Sequence, residues 1–404
     1  MKVMIVHNAN QQVGGDDVVV AHESKLLQSA GHQVVFFRRD NWAAKHYTGL
    51  RKFGLAKQAV WASDAKRELA LLLRDEKPDV VHVHNTFVMI SPSIYSACAE
   101  AGVPVVQTLH NYRLLCPAAT LFRDGKVCEE CMQHSLLRSI QHGCYREARS
   151  ATAVTAAMLA FHRFRETWSR EITCFVALSE FSRSKFIEGG LPAHKVVVKP
   201  NFIDPDPNNR VGDGDYALFA GRLSPEKGVD TLLSAWKQLH TDIPLVMVGG
   251  GPEEARLRER VAREGIKNVE LKGKLSREQT LAALNNARFM VFPSVWYEGF
   301  PMALVEAFAC SVPVICSRMG TMPEVVADGR TGLHFTPGDA DDLARKVEWA
   351  WTHRDEVRTM GKEARHDFES KYTAEKNYPL LMGIYERAME VPSRAWDLRA
   401  ELTV

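Results

Sequence analysis

Short apolar runs rich in β-branched residues recur along the chain, and a turn and a helical pattern follow each run. In the first half the runs are Val3–His7, Gln33–Phe37, Val80–His84, Val105–Leu109, Phe175–Leu178 and Val196–Lys199. After residue 215 they are Tyr216–Ala220, Pro244–Val248, Val269–Leu271, Phe289–Phe292, Val314–Cys316 and Leu333–Phe335. Apolar strands that alternate with helices are typical of parallel sheets covered on both faces. The sequence therefore predicts an α/β protein with two such units in tandem.

The segment from Asp204 to Asp215 separates the two series of strands. It is rich in Pro, Gly, Asn and Asp and has no periodic apolar residues, which is typical of an interdomain linker. We therefore expect a first domain over 1–205, with a cysteine-rich insertion over 112–145, and a second domain over 206–373. The tail over 374–404 begins with an amphipathic helix, whose apolar side carries Tyr378, Leu381, Ile384 and Tyr385.

Charge and hydropathy limit the class of partner. The chain has 51 basic and 49 acidic residues, which argues against a general nucleic-acid-binding protein. No apolar run approaches the roughly 20 residues that span a bilayer, and the first residues do not resemble a signal peptide, so we expect a cytoplasmic protein. Residues 1–205 hold 25 basic and 19 acidic residues. This basic half either favours an anionic partner, such as a membrane surface or a phosphorylated substrate, or is only a solvated surface.

Glycines and cations follow several of the predicted strands. Gly14 and Gly15 precede the helix that starts near Asp16, a pattern that suits an anion at a helix N-terminus but also an ordinary turn. In the second half, Arg222 and Lys227 flank a turn, and both side chains suit a phosphate. The segment 249–251 is Gly-Gly-Gly, which would let a ligand approach the backbone there.

Two glutamates lie around the start of one predicted helix. Glu298 precedes the helix that begins at Pro301, and Glu306 lies on the helix itself. Their carboxylates can accept hydrogen bonds from hydroxyls, and the helix N-terminus offers N–H groups to a phosphate. Hydroxyls together with a phosphate describe a nucleotide sugar, although a capping carboxylate and a surface glutamate would give the same spacing.

These motifs together resemble the retaining, nucleotide-sugar-dependent glycosyltransferases of the GT-B fold with a Glu-x7-Glu motif (glycosyltransferase family 4-like, group 1 glycosyl transferases). The resemblance is carried by Gly221-Arg222-Leu223 with Lys227-Gly228, by Gly249–Pro252, by Glu298-Gly299-Phe300 with Glu306-Ala307, and by Pro313-Val314, Pro323–Val326, Gly14-Gly15, His82–Asn85 and Thr108–Asn111. It implies two Rossmann-like domains that face each other across a deep cleft. The first would bind the acceptor and the second the donor, and the tail helix would pack on the first.

The resemblance also implies roles for individual residues. Arg222 and Lys227 would neutralise the donor diphosphate, Glu306 would hold the ribose hydroxyls, and Glu298 would hold hydroxyls of the transferred sugar. His110 would lie beside that sugar, so the implied catalytic residues are His110, Glu298, Arg222 and Lys227. The whole implied donor site is Gly14, Gly15, Gly221, Arg222, Lys227, Gly249, Gly250, Lys274, Glu298, Gly299, Phe300, Met302, Leu304 and Glu306.

The implied reaction transfers a hexosyl unit from a UDP- or GDP-sugar, with UDP favoured, to a saccharide or lipid-linked saccharide in cell-surface polysaccharide biosynthesis. Retention without a carboxylate nucleophile suggests a same-face transfer. No metal cofactor would be needed, because Arg222, Lys227 and helix N-termini supply positive charge. Two other functions remain open: a nucleotide-sugar epimerase of GT-B-like fold, and a non-catalytic binding protein whose fold a zinc ion stabilises.

Four of the eight cysteines fall in one segment. Cys116, Cys128, Cys131 and Cys144 have the spacing C-x11-C-x2-C-x12-C, in a polar stretch that we expect to be irregular around 123–126. Such a set can close a tetrahedral Zn²⁺ site, so we predict a structural zinc, with free thiols and a disulfide or redox use as alternatives.

A basic and partly apolar stretch follows the cysteines over 136–168. It contains Arg138, Arg146 and Arg149 together with Phe161 and Phe164. A stretch of this kind can lie on an anionic membrane surface, which would place the protein at the inner face of the membrane and favour a lipid-linked acceptor. An ordinary helix with one side facing the core explains the pattern equally well.

Overall fold

The computed structural model describes residues 1–9, 14–42, 50–207 and 212–390, without the side chains of residues 50–53. The chain divides into two compact units. The first contains residues 1–121, 129–201 and 377 onward, and the second contains 122–128 and 202–376. The predicted linker has no helix or strand in its described part, while its residues 208–211 and residues 391–404 of the predicted tail lie outside the described residues.

The first unit contains a six-stranded parallel sheet with the order β2-β1-β3-β4-β7-β8. Its strands are β1 Lys2–Ala9, β2 Gln33–Asp40, β3 Val80–Asn85, β4 Val105–Thr108, β7 Cys174–Ala177 and β8 Val196–Val198. The inner residues of β1 are buried throughout, as expected for a central strand that helices cover on both sides. Because β2 and β3 lie on opposite sides of β1, the direction of winding reverses between β1 and β3.

Helices connect these strands and complete the first unit. They are α1 Gly15–Ser29, α2 Leu50–Val60, α3 Ser63–Glu76, α4 Ser93–Ala101, α5 Glu130–Gln133, α6 Leu137–His142, α7 Arg149–Phe164, α8 Thr167–Arg170 and α9 Glu180–Glu188. Helix α7 lies in the basic stretch and buries Met158 and Leu159, while Phe164 on the same helix is 88% exposed. Every helix among the described residues is too short or too polar to cross a membrane.

The second unit repeats the architecture with the order β11-β10-β9-β12-β13-β14. Its strands are β9 Tyr216–Ala220, β10 Leu245–Val248, β11 Val269–Gly273, β12 Ala287–Phe292, β13 Val314–Ser317 and β14 Gly332–Phe335. This is the strand order of dinucleotide-binding folds, in which the winding reverses between the first and fourth strands, here β9 and β12. Its helices are α10 Val229–Gln238, α11 Glu254–Glu264, α12 Arg277–Asn285, α13 Met302–Ala309, α14 Met322–Val325, α15 Ala340–Thr352 and α16 Arg354–Lys371.

Two hydrophobic cores cover the two faces of the second sheet. Successive residues of β12 alternate between them: Met290 and Phe292 belong to one core, and Phe289 and Val291 belong to the other. This alternation follows from the two-residue period of a strand. This alternation explains why the sequence of β12 is a continuous apolar run with no polar side.

The twelve predicted strands all occur, with shifts of a few residues at their ends. The expectation of irregular structure around 123–126 is wrong, because β5 Phe122–Arg123 and β6 Lys126–Val127 form an antiparallel hairpin. Asp124 and Gly125 both have positive φ, at 51° and 76°. An Asp-Gly pair is a strong signal for a two-residue hairpin turn, so the sequence did contain the information.

Helix α17, Ala374–Glu390, contributes its residues from Asn377 onward to the first unit. Leu381, Ile384 and Tyr385 are buried in one core with residues of β1, α1 and β3. The hydroxyl of Tyr385 lies 2.8 Å from Nδ1 of His82 on β3. The apolar side of α17 is therefore part of the core of the first unit.

Two adjacent leucines of α17 provide a matched test of this packing. Leu381 is fully buried, whereas Leu380 is 46% exposed. We expect Leu381→Ala to lower the free energy of unfolding by about 2–5 kcal/mol, because it leaves a cavity in the core. We expect Leu380→Ala to change it by no more than about 0.5 kcal/mol. Urea denaturation of the two variants measures both effects, and equal effects would contradict this packing of α17.

Candidate functional site

The reversal of winding between β9 and β12 places two loops of the second unit side by side. These loops are 221–228 after β9 and 293–301 after β12. The N–H of Val295 donates to the carbonyl of Glu226 at 2.9 Å. Gly228 has φ +67°, and a Cβ there would lie 1.9 Å from the carbonyl oxygen of Pro293. The glycine is therefore required for this close approach of the two loops.

An ion pair joins the two loops. Nζ of Lys227 lies 2.7 Å from Oε1 of Glu298, and the hydroxyl of Ser294 donates to the same oxygen at 2.6 Å. The Lys227 ammonium also lies 5.4 Å and 5.3 Å from the ring centroids of Phe292 and Trp296. Glu298 is only 5% exposed, so its charge is removed from water and held by these partners. The sequence predicted both residues for the site, but not their pairing.

The glycines after β10 are explained by backbone packing within the unit. Gly249 has φ +140°, and a Cβ there would lie 1.8 Å from the carbonyl oxygen of Gly221. A Cβ on Gly251 would lie 2.2 Å from the carbonyl oxygen of Leu223. At Gly250 the nearest side-chain atoms, on Glu254 and Lys274, would be 3.6 Å away. Gly250 is therefore the one member of the triplet whose missing side chain this packing does not explain.

Two exposed cations lie at the same edge of the sheet. Arg222 follows β9 and Lys274 follows β11, and neither has an ion pair with a described residue. Glu306 on α13 is half-buried, with no hydrogen bond or ion pair to a described residue, and burial raises the pKa of its carboxyl. These three groups are therefore available to a ligand.

Other predicted donor residues serve the framework of the second unit. Thr321 Oγ1 lies 3.1 Å from the carbonyl oxygen of Glu298 and 3.4 Å from that of Gly299, so it can hold this loop. Phe300 and Met302 pack against one core, and Leu304 is fully buried in it. The N–H of Leu304 already donates to the carbonyl of Pro301 at 3.0 Å, so Leu304 offers a ligand little.

In the first unit the predicted glycines, Gly14 and Gly15, lie at the start of α1, beside the reversal of winding between β1 and β3. Asp17 accepts hydrogen bonds from the N–H of Gly14 at 2.7 Å and from Nε2 of His7 at 2.8 Å, and so ties the turn to the end of β1. Gly15 is exposed, and a Cβ there would meet nothing within 4 Å. The packing of this unit therefore does not require a glycine at position 15.

A buried polar network lies beneath the carboxyl ends of β3 and β4. Nδ1 of His84 lies 2.9 Å from Nε2 of His110, and the two rings stack. Glu23 of α1 binds the ammonium of Lys199 at 2.7 Å, and Asn377 of α17 binds the same ammonium at 3.1 Å. Burial by itself raises the pKa of Glu23, but Lys199 outweighs it and holds the pKa of that carboxyl below its ordinary value.

The network favours one tautomer of His110. Burial lowers the pKa of His84 and of His110, so both rings are neutral at pH 7. Nε2 of His84 faces Oε2 of Glu23 at 3.5 Å, and a carboxylate only accepts hydrogen bonds, which favours a proton on that nitrogen. Nδ1 of His84 then accepts from Nε2–H of His110. His110 is left with Nδ1 as a hydrogen-bond acceptor.

Glu23, His82 and His84 are also the group that could hold a metal among the described residues. Lys199 already supplies the positive charge next to Glu23, and hydroxyls of Tyr385 and Thr108 lie 2.8 Å from the two ring nitrogens of His82. Both ring nitrogens of His82 are therefore engaged, whereas Oε2 of Glu23 and Nε2 of His84 face each other at 3.5 Å and have no closer hydrogen-bond partner among the described residues.

The predicted zinc ligands are not assembled in the first unit. Cys116, Cys131 and Cys144 belong to this unit and do not form a metal-binding group in the described structure, while Cys128 belongs to the second unit. All four are free cysteines. The structural zinc therefore stays a prediction.

Glu23, Lys199 and Asn377 are the polar residues that sequence reasoning missed. Glu23 lies within a helix and Lys199 after a strand, and 176 positions separate them. A lone glutamate and a lone lysine carry no signal at that distance. Only the packing of α1 and α17 on the sheet brings them together.

The buried histidines predict acid sensitivity. The pKa values of His82 and His84 lie well below the ordinary 6.5, because burial opposes their charged forms. As the pH falls below 6.5, the unfolded chain takes up protons that the folded chain does not, so the folded state loses stability. Each histidine contributes a slope of up to about 1.4 kcal/mol per pH unit.

Urea denaturation between pH 7.5 and 5.5 measures this slope. We expect His82→Gln to be less stable at pH 7.5 and to show a shallower dependence on pH than the unchanged protein. His240→Gln, at an exposed position of the second unit, is the control and should keep the original slope. The same slope in His82→Gln would show that this ring is charged in the folded state.

Comparison with known proteins gives matches along most of the chain. Residues 13–207 match the model described as Glycosyltransferase Family 4, and residues 201–367 match Glycosyl transferases group 1. The uncharacterized glycosyltransferase MJ1178 of Methanocaldococcus jannaschii is 29% identical over 56% of this chain and 62% of its own length. The lipopolysaccharide 1,2-N-acetylglucosaminetransferase of Salmonella typhimurium is 30% identical over 57% of this chain and 67% of its own.

The same architecture occurs in solved structures. The structure of Anabaena Alr3699/HepE in complex with UDP has a TM-score of 0.65 and 17% identity, and the match covers 96% of this chain and 100% of that one. A likeness at this identity establishes the fold only. The two family matches and the relative at 30% identity show that this chain belongs to the glycosyltransferases with a family 4 domain followed by a group 1 domain, with the GT-B fold.

Proposed function

We propose that this protein is a retaining glycosyltransferase that moves a hexosyl unit from a UDP- or GDP-sugar, with UDP favoured, to a saccharide or lipid-linked saccharide. The observation that carries the proposal is the Lys227–Glu298 ion pair at the strand reversal of the second unit, with Arg222 and Lys274 unpaired among the described residues beside it. Ligands of open α/β sheets bind at such a reversal, beyond the carboxyl ends of the strands. The HepE structure contains UDP, which favours that nucleotide.

The donor's parts match the chemistry of these side chains. Arg222 and Lys227 bind the diphosphate, and Lys274 adds positive charge at the same edge. Glu306 accepts hydrogen bonds from the ribose hydroxyls, which suits a half-buried carboxylate without a described partner. Glu298 accepts hydrogen bonds from the transferred sugar, while Lys227 pairs with its buried carboxyl group.

In the first unit the proposed ligand contacts are Gly14, Gly15 and His110. Gly15 leaves space that its own unit does not fill, so a phosphate can approach the first turn of α1. His110 offers Nδ1 as an acceptor to a hydroxyl of the transferred sugar, because His84 holds its other nitrogen. The network behind His84 therefore fixes the direction of the hydrogen bond that His110 can make.

The transfer proceeds on one face of the sugar. The acceptor oxygen forms a bond to the anomeric carbon as the bond to the diphosphate oxygen breaks. The acceptor proton passes to the leaving diphosphate, and the new linkage keeps the donor's configuration. Arg222, Lys227 and the helix N-termini stabilise the charge that develops on the diphosphate, so no divalent metal is needed for this step.

The acceptor belongs to cell-surface polysaccharide assembly in this proposal. The Salmonella relative is named for its action on lipopolysaccharide, which supports this class. Leu137 and Phe164 of the basic stretch are 67% and 88% exposed, and exposed apolar side chains beside arginines suit an anionic membrane surface. We therefore propose peripheral contact with the inner face of the membrane and a lipid-linked acceptor.

Two lysines of the second unit test the donor site. We expect Lys227→Ala to lower sugar transfer by about 100-fold or more, because it removes charge from the diphosphate and leaves Glu298 without its cation. Lys237→Ala is the matched control, because Lys237 on α10 is 53% exposed and pairs only with Glu264 at 3.1 Å among the described residues. It should transfer sugar at the original rate.

The readouts are the stabilisation of each variant by UDP, UDP-sugars and GDP-sugars, and the transfer of labelled sugar to membrane extracts. A ligand that binds only the folded state raises its thermal midpoint. Unchanged stabilisation and transfer in Lys227→Ala would contradict the donor site. Conversion of the nucleotide sugar without any acceptor would identify an epimerase instead.

Chelation and stereochemistry test the mechanism. We expect turnover to survive EDTA, and the anomeric configuration in the product, read by NMR, to be that of the donor. A strict requirement for added Mg²⁺ or Mn²⁺ would contradict the metal-free step, and an inverted product would contradict same-face transfer. The matched control is the same assay in buffer without EDTA.

A further inference from the structure

A cavity in the first unit opens beside His110. It lies at the carboxyl ends of β3 and β4, and its wall includes Asn85, Gln107, His110, Asn111 and Arg113. Its other lining residues, including the ring of His84, are neutral, and no aspartate, glutamate or lysine lines it in the described part of the chain. Arg113 is thus the one fixed charge among these lining residues.

The Arg113 guanidinium lies against two aromatic rings that also contact each other. Its central carbon lies 4.5 Å from the ring centroid of Phe87 and 4.9 Å from that of Tyr145. One terminal nitrogen donates to the carbonyl of Pro117, and the backbone N–H donates to Asn111. These contacts fix the plane of the guanidinium but provide no negative charge.

A second arginine shares the same tyrosine. The guanidinium carbon of Arg146 lies 5.5 Å from the Tyr145 centroid. Arg146 is exposed and has φ +55°, a left-handed conformation that non-glycine residues rarely adopt. Neither arginine forms an ion pair with any residue that the structure describes. Burial and the charge of Arg146 lower the pKa of Arg113, as expected for a cation without a counter-ion.

We propose that Arg113 and Arg146 bind an oxyanion, a phosphate or a carboxylate, carried by the acceptor saccharide. The two guanidinium groups are both positively charged and both contact the Tyr145 ring, with no carboxylate paired to either, so they repel each other. A bound anion removes that repulsion. The planar guanidinium also matches the paired oxygens of these groups. The identification of the ligand as an acceptor rests on the proposed transferase function, whereas the anion site itself rests on the two arginines alone.

The test is anion binding by the full chain, without donor or acceptor. Calorimetric titration with sodium pyrophosphate represents a diphosphate-linked acceptor, and sodium glucuronate represents an acidic sugar. Arg146→Ala is the main variant, because its side chain is exposed and the contact that the structure describes for it is the Tyr145 ring, so its loss should not unfold the protein. We expect it to weaken the binding of the favoured anion at least tenfold.

Three further variants keep the result specific. Arg113→Lys retains the charge but loses the planar fork, so we expect weaker binding, and the thermal midpoint without anion checks that the variant is folded. Arg138→Ala removes one exposed arginine from the same basic stretch, away from Tyr145 in sequence, and should bind within twofold of the unchanged protein. Lys227→Ala should lose any pyrophosphate binding at the donor site but keep the binding that Arg146→Ala removes, which separates the two sites.

These outcomes test the anion site and the transferase function separately. Tighter binding of pyrophosphate supports a phosphate on the acceptor, and tighter binding of glucuronate supports a carboxylate. No binding of either anion, or equal binding in Arg146→Ala, overturns the proposal. Anion binding that persists in a protein without nucleotide-sugar binding would retain the site but remove its role in acceptor recognition. The proposed transferase function would then fail independently.

Discussion

Parallel pairing of the strands is the constraint on which both candidate sites depend. In a parallel sheet every strand ends at the same edge, and a reversal of winding leaves a gap between the loops that follow two neighbouring strands. In the second unit this gap lies between β9 and β12, and Lys227 and Glu298 meet there. In the first unit it lies between β1 and β3, next to Gly14 and His84. The chemistry of each unit is therefore placed by its strand order.

The two units use buried charge in different ways. In the first, the Glu23–Lys199 pair is fully buried and is completed by Asn377, so it can hold α1, the sheet and α17 in register and orient His84. In the second, the Lys227–Glu298 pair is partly accessible through its lysine, whose side chain is 18% exposed, with further cations beside it. A fully buried pair that lost one partner would leave a costly lone charge, which makes it suited to structure. A pair that a ligand can reach is suited to binding.

Much of the fold was predictable because parallel strands that helices cover on both faces must be apolar along their length. The run Phe289–Phe292 has no polar alternation, since both of its faces meet a core. The glycines and charged residues after β9, β10 and β12 were predictable for a related reason, because they follow strand ends directly. Asp124-Gly125 carried a turn signal as well, although the surrounding polar residues suggested irregular structure.

The sequence by itself determined the two α/β units, the places where their strands end, the presence of Arg222, Lys227 and Glu298 after those ends, and that of Glu306 on the helix that follows. These features are local, since they depend on neighbours within a few residues. Only the tertiary structure decided that Glu23 meets Lys199, that His84 faces His110, and that Arg113 and Arg146 share Tyr145. Such pairings join residues from different elements, and their energies depend on burial and on the absence or presence of a counter-charge. A linear pattern does not contain that information.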